Sequence, residues 1–173
     1  MSGHPFETNL DKNSANYVPL SPLSVIGRCA TTFPNRSSLI YNDKTFTWEE
    51  THQRCLSLAS ALTKRGIGKG DTVSIMAPNV PASFEVTFGV PMSGAVLNAL
   101  NTRLDASTIA FILEHAETKV LIIDLEYSTV IREALEKINT KILVIDYQDP
   151  NLPKQRCLGS VEYEDLLKEG SPE

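Results

Sequence analysis

Cysteine is scarce. Cys29, Cys55 and Cys157 are the only three in 173 residues, too few and too scattered for a disulfide framework. They never form a Cys-x-x-Cys pair, so the pattern points to reduced thiols in an intracellular compartment and to no zinc site. Histidine is equally sparse: His4, His52 and His115 stand far apart, and none has a cysteine or acid spaced to complete a ligand set. Apolar runs are short, and none approaches the roughly 20 residues of a membrane span. The first 20 residues, MSGHPFETNLDKNSANYVPL, are polar and lack the apolar centre of a signal peptide. Positive charge is also in deficit, with 16 Lys and Arg against 21 Asp and Glu and a formal net charge of −5. That balance argues against nucleic acid as a partner. No Gly-x-Ser-x-Gly elbow is present. Gly66-Ile67-Gly68-Lys69-Gly70 closes a predicted helix and opens a strand, the reverse of a phosphate loop, so it reads as a turn.

What is present is ordinary globular usage, 42% hydrophobic and 21% charged, in a chain long enough for one domain with its own core. The most informative stretch runs from Ile75 to Asp124. Val73, Ile75 and Met76 end a short apolar strand. Asn79 is expected to cap the next helix, with Pro81 in its first turn. Phe84, Phe88 and Met92 recur every four residues and predict the apolar face of that helix. Pro91 ends or kinks it, and Gly94 turns the chain into a short strand, Ala95-Val96-Leu97. Asn98, Asn101 and Arg103 are expected on a loop. Asp105 is placed to cap a helix whose apolar face is Ile109, Ile112, Leu113 and Ala116. Lys119 to Ile123 is a continuous apolar run ending in Asp124, as strands buried on both faces are.

On either side of this stretch the signals are local and physical. Pro19 and Pro22 introduce a helix with Leu23, Ile26 and Cys29 at helical spacing, ending near Phe33-Pro34. Ser38–Tyr41 and Thr45–Thr47 flank Asn42-Asp43-Lys44, a hairpin pattern. Thr47 and Glu50 form a capping box for a helix carrying Trp48, Thr51, Cys55, Leu58 and Leu62 on one stripe. Gly66 ends it, with Ile67 placed for a Schellman stop. Tyr127, Ile131, Ala134 and Ile138 mark a further amphipathic helix, and Lys141 to Asp146 a second buried strand. Residues 147–159 read as loop and Tyr163 to Lys168 as a short helix, with no closing element after it. Strand and helix alternate from Thr72 to Asp146, so the fold class is α/β with a mostly parallel sheet flanked by helices.

Among the candidate reactive groups, paired carboxylates such as Glu49-Glu50 and Glu162/Glu164/Asp165 sit at helix starts, where they suit the helix dipole. Arg103 stands apart because it follows Asn101-Thr102 just past a buried strand, at the edge where α/β sheets bind ligands. An arginine there can hold a phosphate through its always-charged fork; a surface ion pair with Asp105 or Glu114 is the competing reading.

Thr45-Phe46-Thr47-Trp48-Glu49-Glu50, followed by Asp71-Thr72-Val73-Ser74-Ile75-Met76-Ala77-Pro78-Asn79, resembles the first segment of AMP-forming acyl- and aryl-CoA ligases. Gly89 to Asn98, Asn101-Thr102-Arg103-Leu104 and Lys119-Val120-Leu121 are similar to the segment those enzymes place next. ANYVPLSPL at Ala15–Leu23 and APNVPA at Ala77–Ala82 look most like the plant benzoate/cinnamate–CoA ligase kind. The resemblance implies the N-terminal subdomain of the adenylate-forming fold, truncated, with residues 1–18 a flexible arm, 19–146 the α/β subdomain of an AMP-binding domain, and 147–173 leading to a missing remainder. It implies that the parent uses ATP, Mg²⁺ and CoA to convert an aromatic or medium-chain carboxylic acid to its CoA thioester through an acyl-adenylate, in the peroxisome or cytosol. The family's Thr/Ser/Gly-rich phosphate loop, its Mg²⁺-binding glutamate and its catalytic lysine have no counterpart in these residues. No catalytic or metal-binding residue is therefore expected here, and no cofactor is expected to bind this piece tightly. One functional residue carries over: Arg103, matching an arginine near the CoA phosphates. Asn98 and Asn101 are expected to shape that loop. The alternative, from a different class, is a stand-alone non-catalytic α/β scaffold or partner-binding module.

Overall fold

The computed structural model describes residues 11–13 and 17–172. A five-stranded, wholly parallel sheet of order β4-β3-β5-β6-β7 lies at its centre. The strands are β3 (Thr72–Met76), β4 (Val96–Ala99), β5 (Thr118–Asp124), β6 (Leu143–Tyr147) and β7 (Val161–Glu162). A separate antiparallel hairpin, β1 (Ser37–Tyr41) and β2 (Lys44–Thr47), turns through Asn42, whose φ of 53° is the left-handed conformation a tight turn needs. The helices are α1 (Pro22–Thr32), α2 (Trp48–Lys64), α3 (Pro81–Met92), α4 (Ala106–His115), α5 (Ser128–Leu135) and α6 (Tyr163–Glu169). Of the arm expected over 1–18, most lies outside the described residues.

The period-two alternation of the central strands sends side chains to two different cores. Val73, Ile75, Val120, Ile122 and Ile145 face a layer made by α2, α3 and α6. Met76, Leu121 and Ile123 face a layer made by α4 and α5. The result is a three-layer α/β sandwich with both sheet faces filled. Local sequence sets the ends of the elements. Thr47 Oγ1 accepts from the Glu50 amide and the Glu50 carboxylate accepts from the Thr47 amide at 2.8 Å, completing the capping box of α2. At the other end the Ile67 amide donates to Leu62 O and the Gly66 amide to Thr63 O, with Gly66 at φ 80°, a Schellman stop.

Several expectations need correction. The N-cap of α3 is Val80, not Asn79. Proline at the first helical position forces the residue before it into extended backbone, so the cap falls on Val80; the Ser83 hydroxyl, donating to Pro78 O at 2.6 Å, steadies the turn. The buried face of α3 is Ala82, Glu85, Val86, Gly89 and Val90. Phe84 and Phe88 do share a face and pack edge-on at 5.3 Å, but that face is half-exposed. The small side turns inward because α2 and α3 touch at Gly89, where an added Cβ would lie 2.7 Å from Leu58 Cδ2 and 3.0 Å from Cys55 O. Asn98 belongs to β4, where it pairs with Ser74 and its amide donates to Ser74 Oγ at 3.0 Å. β6 starts at Leu143 and runs through Tyr147. After Tyr147 the chain does return to the body: β7 adds the fifth strand and α6 buries Tyr163, Leu166 and Leu167.

Gly89→Ala is expected to destabilise the protein by about 2 kcal/mol, the usual cost of overpacking a helix–helix contact. Urea unfolding followed by circular dichroism measures it, and an unchanged midpoint would mean the helices can separate without loss.

Candidate functional site

The Arg103 loop is fixed at both ends. Before it, the Leu100 amide donates to Ile75 O at 2.8 Å, which holds the exit of β4 to the sheet, and Leu100 is buried among the α4 and α5 residues. After it, Leu104 packs on the same core and Asp105 caps α4 by accepting from the Ser107 and Thr108 amides at 2.9 and 3.1 Å. Between these anchors Asn101 Oδ1 accepts from the Arg103 amide at 2.9 Å, a local turn that shapes the loop as expected. Arg103 itself is exposed. Among the described residues no carboxylate lies within ion-pair distance of its guanidinium. The competing partner Asp105 is occupied: the Thr108 hydroxyl donates to it at 2.7 Å, and that bond with the amides holds its carboxyl below the usual range. A rigid loop therefore presents a free fork to solvent, a geometry that suits an anion.

A second cluster lies on the opposite face of the sheet. Glu85, 1% exposed and the single charged residue of α3, receives Arg54 through two bonds, Nε at 2.6 Å and Nη2 at 3.2 Å. The buried Tyr163 hydroxyl donates to the same carboxylate at 2.8 Å. The other side of the Arg54 fork holds Glu164 at 2.6 and 2.9 Å. Burial works against the Arg54 charge, but the bonds to Glu164 and Glu85 outweigh it and hold the guanidinium above its ordinary value. Burial also pushes the Tyr163 hydroxyl well up, and the Cys55 thiol to about 12, so neither is a nucleophile or base near neutrality. Next to this cluster a cavity of about 360 Å³ opens between the hairpin and the end of β6, walled by Tyr41, Phe46, Tyr147 and Arg54 with Lys44 at its side. Its polar groups are largely committed to one another. Tyr41 donates to Asp149, which raises the phenol to about 12; Arg54 is spent on its two carboxylates.

The structure keeps Arg103 and this cavity apart, on loops after different strands. His52 and His115 lie on α2 and α4, with no acid paired to them among the described residues, and His4 lies outside the described residues. Among the described residues no group of three or more His, Cys, Asp or Glu side chains could hold a metal ion, and no helix is long and apolar enough to cross a membrane. The Glu85 cluster escaped the sequence reading. Its one signal was a lone acid inside PASFEVTFGVPM, four residues from Pro81 and otherwise surrounded by apolar and small side chains.

The family model described as "AMP-binding enzyme" matches residues 26–171. The chain is 46% identical to the peroxisomal trans-cinnamate:CoA ligase of Petunia hybrida, over 95% of this chain and 31% of that protein. It is 44% identical to a peroxisomal butyrate–CoA ligase of Arabidopsis thaliana, over 95% of this chain and 30% of that one. It is likewise 44% identical to the peroxisomal benzoate–CoA ligase of the same plant, over 91% and 28%. The chain thus spans less than a third of the length of these curated relatives. Among solved structures, an anthranilate CoA ligase in complex with anthranoyl-AMP superposes with a TM-score of 0.79 at 17% identity, over 87% of this chain and 28% of that one. A benzoate CoA ligase from Burkholderia xenovorans LB400 gives 0.74 at 19% identity, with the same coverage. At such identities these two likenesses speak for the fold.

Asp124 yields a pH test. It is buried at the end of β5, with Oδ1 accepting from the Glu126 amide at 2.9 Å and Oδ2 without a partner among the described residues. Burial raises its carboxyl above the usual range. The folded chain therefore holds this proton more tightly than the unfolded one, and the group favours folding below the ordinary aspartate pKa. That contribution is lost as pH rises from about 4 through the raised folded value, by up to about 1.4 kcal/mol per pH unit inside the window. Asp124→Asn keeps the accepting oxygen and removes the titration, so its urea midpoint should gain on the parent as pH rises. Parallel curves for the two proteins across pH 3 to 7 would contradict this.

Proposed function

The chain belongs to the AMP-binding enzyme family, and from that premise we propose that it forms the N-terminal part of an ATP-dependent carboxylate–CoA ligase. The observation that carries the proposal is the 44–46% identity over nine-tenths or more of this chain to ligases that join cinnamate, butyrate and benzoate to CoA. The reaction joins acid, ATP and CoA to give acyl-CoA, AMP and pyrophosphate. The carboxylate displaces pyrophosphate from the ATP α-phosphorus, and the CoA thiol then displaces AMP. The acid is aromatic or of short to medium chain, in keeping with the substrates that the relatives' names carry. Peroxisomal residence is part of the same proposal, supported by the same names. No observation favours a scaffold of unrelated class.

What these residues contribute is positional. Arg103 fits a phosphate of CoA: it is cationic at every working pH, exposed, without a carboxylate partner among the described residues, and held on a loop pinned by Leu100, Leu104 and Asp105. Among the described residues no carboxylate cluster is placed to hold Mg²⁺, and no phosphate-loop motif stands in the sequence of these 173 residues. Adenylate chemistry is accordingly assigned to polypeptide outside them, and the chain alone is expected to make no acyl-CoA.

The test is a chimera in which this chain replaces the matched stretch of the petunia relative, assayed for acyl-CoA with aromatic and short-chain acids by chromatography. Product is expected from the chimera. In it, Arg103→Ala should raise the KM for CoA about tenfold, the value of one charge-assisted contact, and leave acid-dependent ATP–pyrophosphate exchange unchanged. A folded chimera without product would remove the ligase proposal; an unchanged KM for CoA would remove only the role of Arg103.

A further inference from the structure

A polar arrangement at the amino end of the sheet lies apart from both the Arg103 loop and the Glu85 cluster. β7 pairs only with Ile145 and Asp146, so among the described residues the start of β6 has no strand on its outer side. A groove of about 550 Å³ opens there, between the turn that leads into β3 and the segment that leads into β7. That size is usual for small-molecule sites. Its floor is apolar. Ile67 packs on the core under α2 and α3, and Ile142 and Leu158 pack on the core under α4 and α5, all three left half-buried.

Both walls are fixed. The Ile67 amide donates to Leu62 O at 3.0 Å. On the other side the buried Asp146 carboxylate accepts from the Leu158 and Gly159 amides, each at 2.9 Å. Gly159 lies so close on β6 that an added Cβ would fall on Val144 O. Three donors stand around the floor with nothing to meet. Lys119 near the start of β5, Lys141 just before β6 and Ser160 line the groove, and among the described residues none of these side chains has a hydrogen bond or ion pair. Neighbouring strands are about 4.8 Å apart and Val120 is opposite Leu143, so the two lysine stems start from adjoining points of the sheet edge.

Two ammonium groups that share a groove without a counter-ion repel one another, and an anion between them removes that cost. The floor asks for the opposite chemistry, since half-buried apolar side chains gain by being covered. We infer that the groove binds a small amphipathic carboxylate, with its charged end on Lys119 and Lys141 and its hydrocarbon body on Ile67, Ile142 and Leu158. A carboxylate offers an acceptor oxygen to each ammonium. A bare inorganic anion would leave the floor uncovered, and a neutral chain would leave the lysines unmet. Because the strands are parallel, the groove is at the opposite end of the sheet from Arg103, which follows the carboxyl end of β4. Every group involved lies within these residues, so the site does not depend on the ligase proposal.

Octanoate titrated into the 173-residue chain, with amide chemical shifts followed by NMR, tests the site. Saturable shifts are expected at Lys119, Ile142 and Gly159. Octanamide, which has the same body without the charge, should bind about tenfold more weakly, the value of one charge-assisted contact. Butyrate, with its shorter chain, should also bind about tenfold more weakly because it covers less of the floor. Lys119→Gln/Lys141→Gln alters exposed side chains only, so Tm should stay within about 1 °C of the parent. The same pair should lower octanoate affinity about tenfold and erase the preference over octanamide, whereas Arg103→Ala should change neither. Shifts centred on Thr102 to Leu104, or shifts that never saturate, would overturn the site. So would parent protein that binds octanoate no better than octanamide or butyrate, or a lysine pair variant that binds octanoate as the parent does.

Discussion

One buried carboxylate joins the parts of this structure that sequence separates most widely. Glu85 on α3 accepts from Arg54 on α2 and from Tyr163 at the start of α6, and Arg54 reaches on to Glu164. A carboxylate taken out of water is costly unless its charge is met and its lone pairs are filled. Here a bidentate guanidinium and a phenol do both. Removing Arg54 would leave the Glu85 carboxylate buried without its counter-charge, so the network favours the arrangement in which all three elements meet. The same contact aligns the apolar packing around it, with Gly89 one turn further along α3 against Leu58, and Tyr147 edge-on to Tyr163 at 5.9 Å. Further along, Arg65 and Lys64 at the end of α2 hold Glu169 at the end of α6, so the two helices are paired along their length.

Much of the fold was legible because its causes are local. The Thr47–Glu50 box, the Gly66–Ile67 stop, the Asn42 turn and the Asp105 cap each use residues within a few positions of one another, and all stand where the sequence placed them. Val73, Ile75 and Met76 and the continuous apolar run ending at Ile123 marked the buried parallel strands for the same reason. The misreadings share the opposite cause. Which face of α3 is inward depends on how closely α2 approaches at Gly89, and apolar periodicity favoured the larger Phe84 and Phe88. The two-residue β7 exists only because β6 is beside it, and α6 is drawn back by Arg54, more than a hundred residues earlier in the chain. Arg103 was singled out by its place after a strand; that its loop is clamped by Leu100 and Leu104 needed the packing.

These residues thus supply a prefolded piece whose internal charges are mostly satisfied among themselves. Arg54, Glu85, Glu164, Tyr41 and Asp149 are committed to structure, whereas Arg103 is exposed on a fixed loop. The division agrees with the proposal that these residues hold and position ligands rather than make bonds.

The claim on which this account depends is that residues 48–169 form one cooperative unit closed by the Glu85 junction. Native-state hydrogen exchange tests it most directly. The amides of Leu166 and Leu167 in α6 should open with the same free energy as those of Leu121 and Ile122 in β5, to within about 1 kcal/mol. Exchange of α6 several kcal/mol more easily than β5, at the level of a fraying terminus, would show that α6 is a loose tail and that the junction does not close the fold.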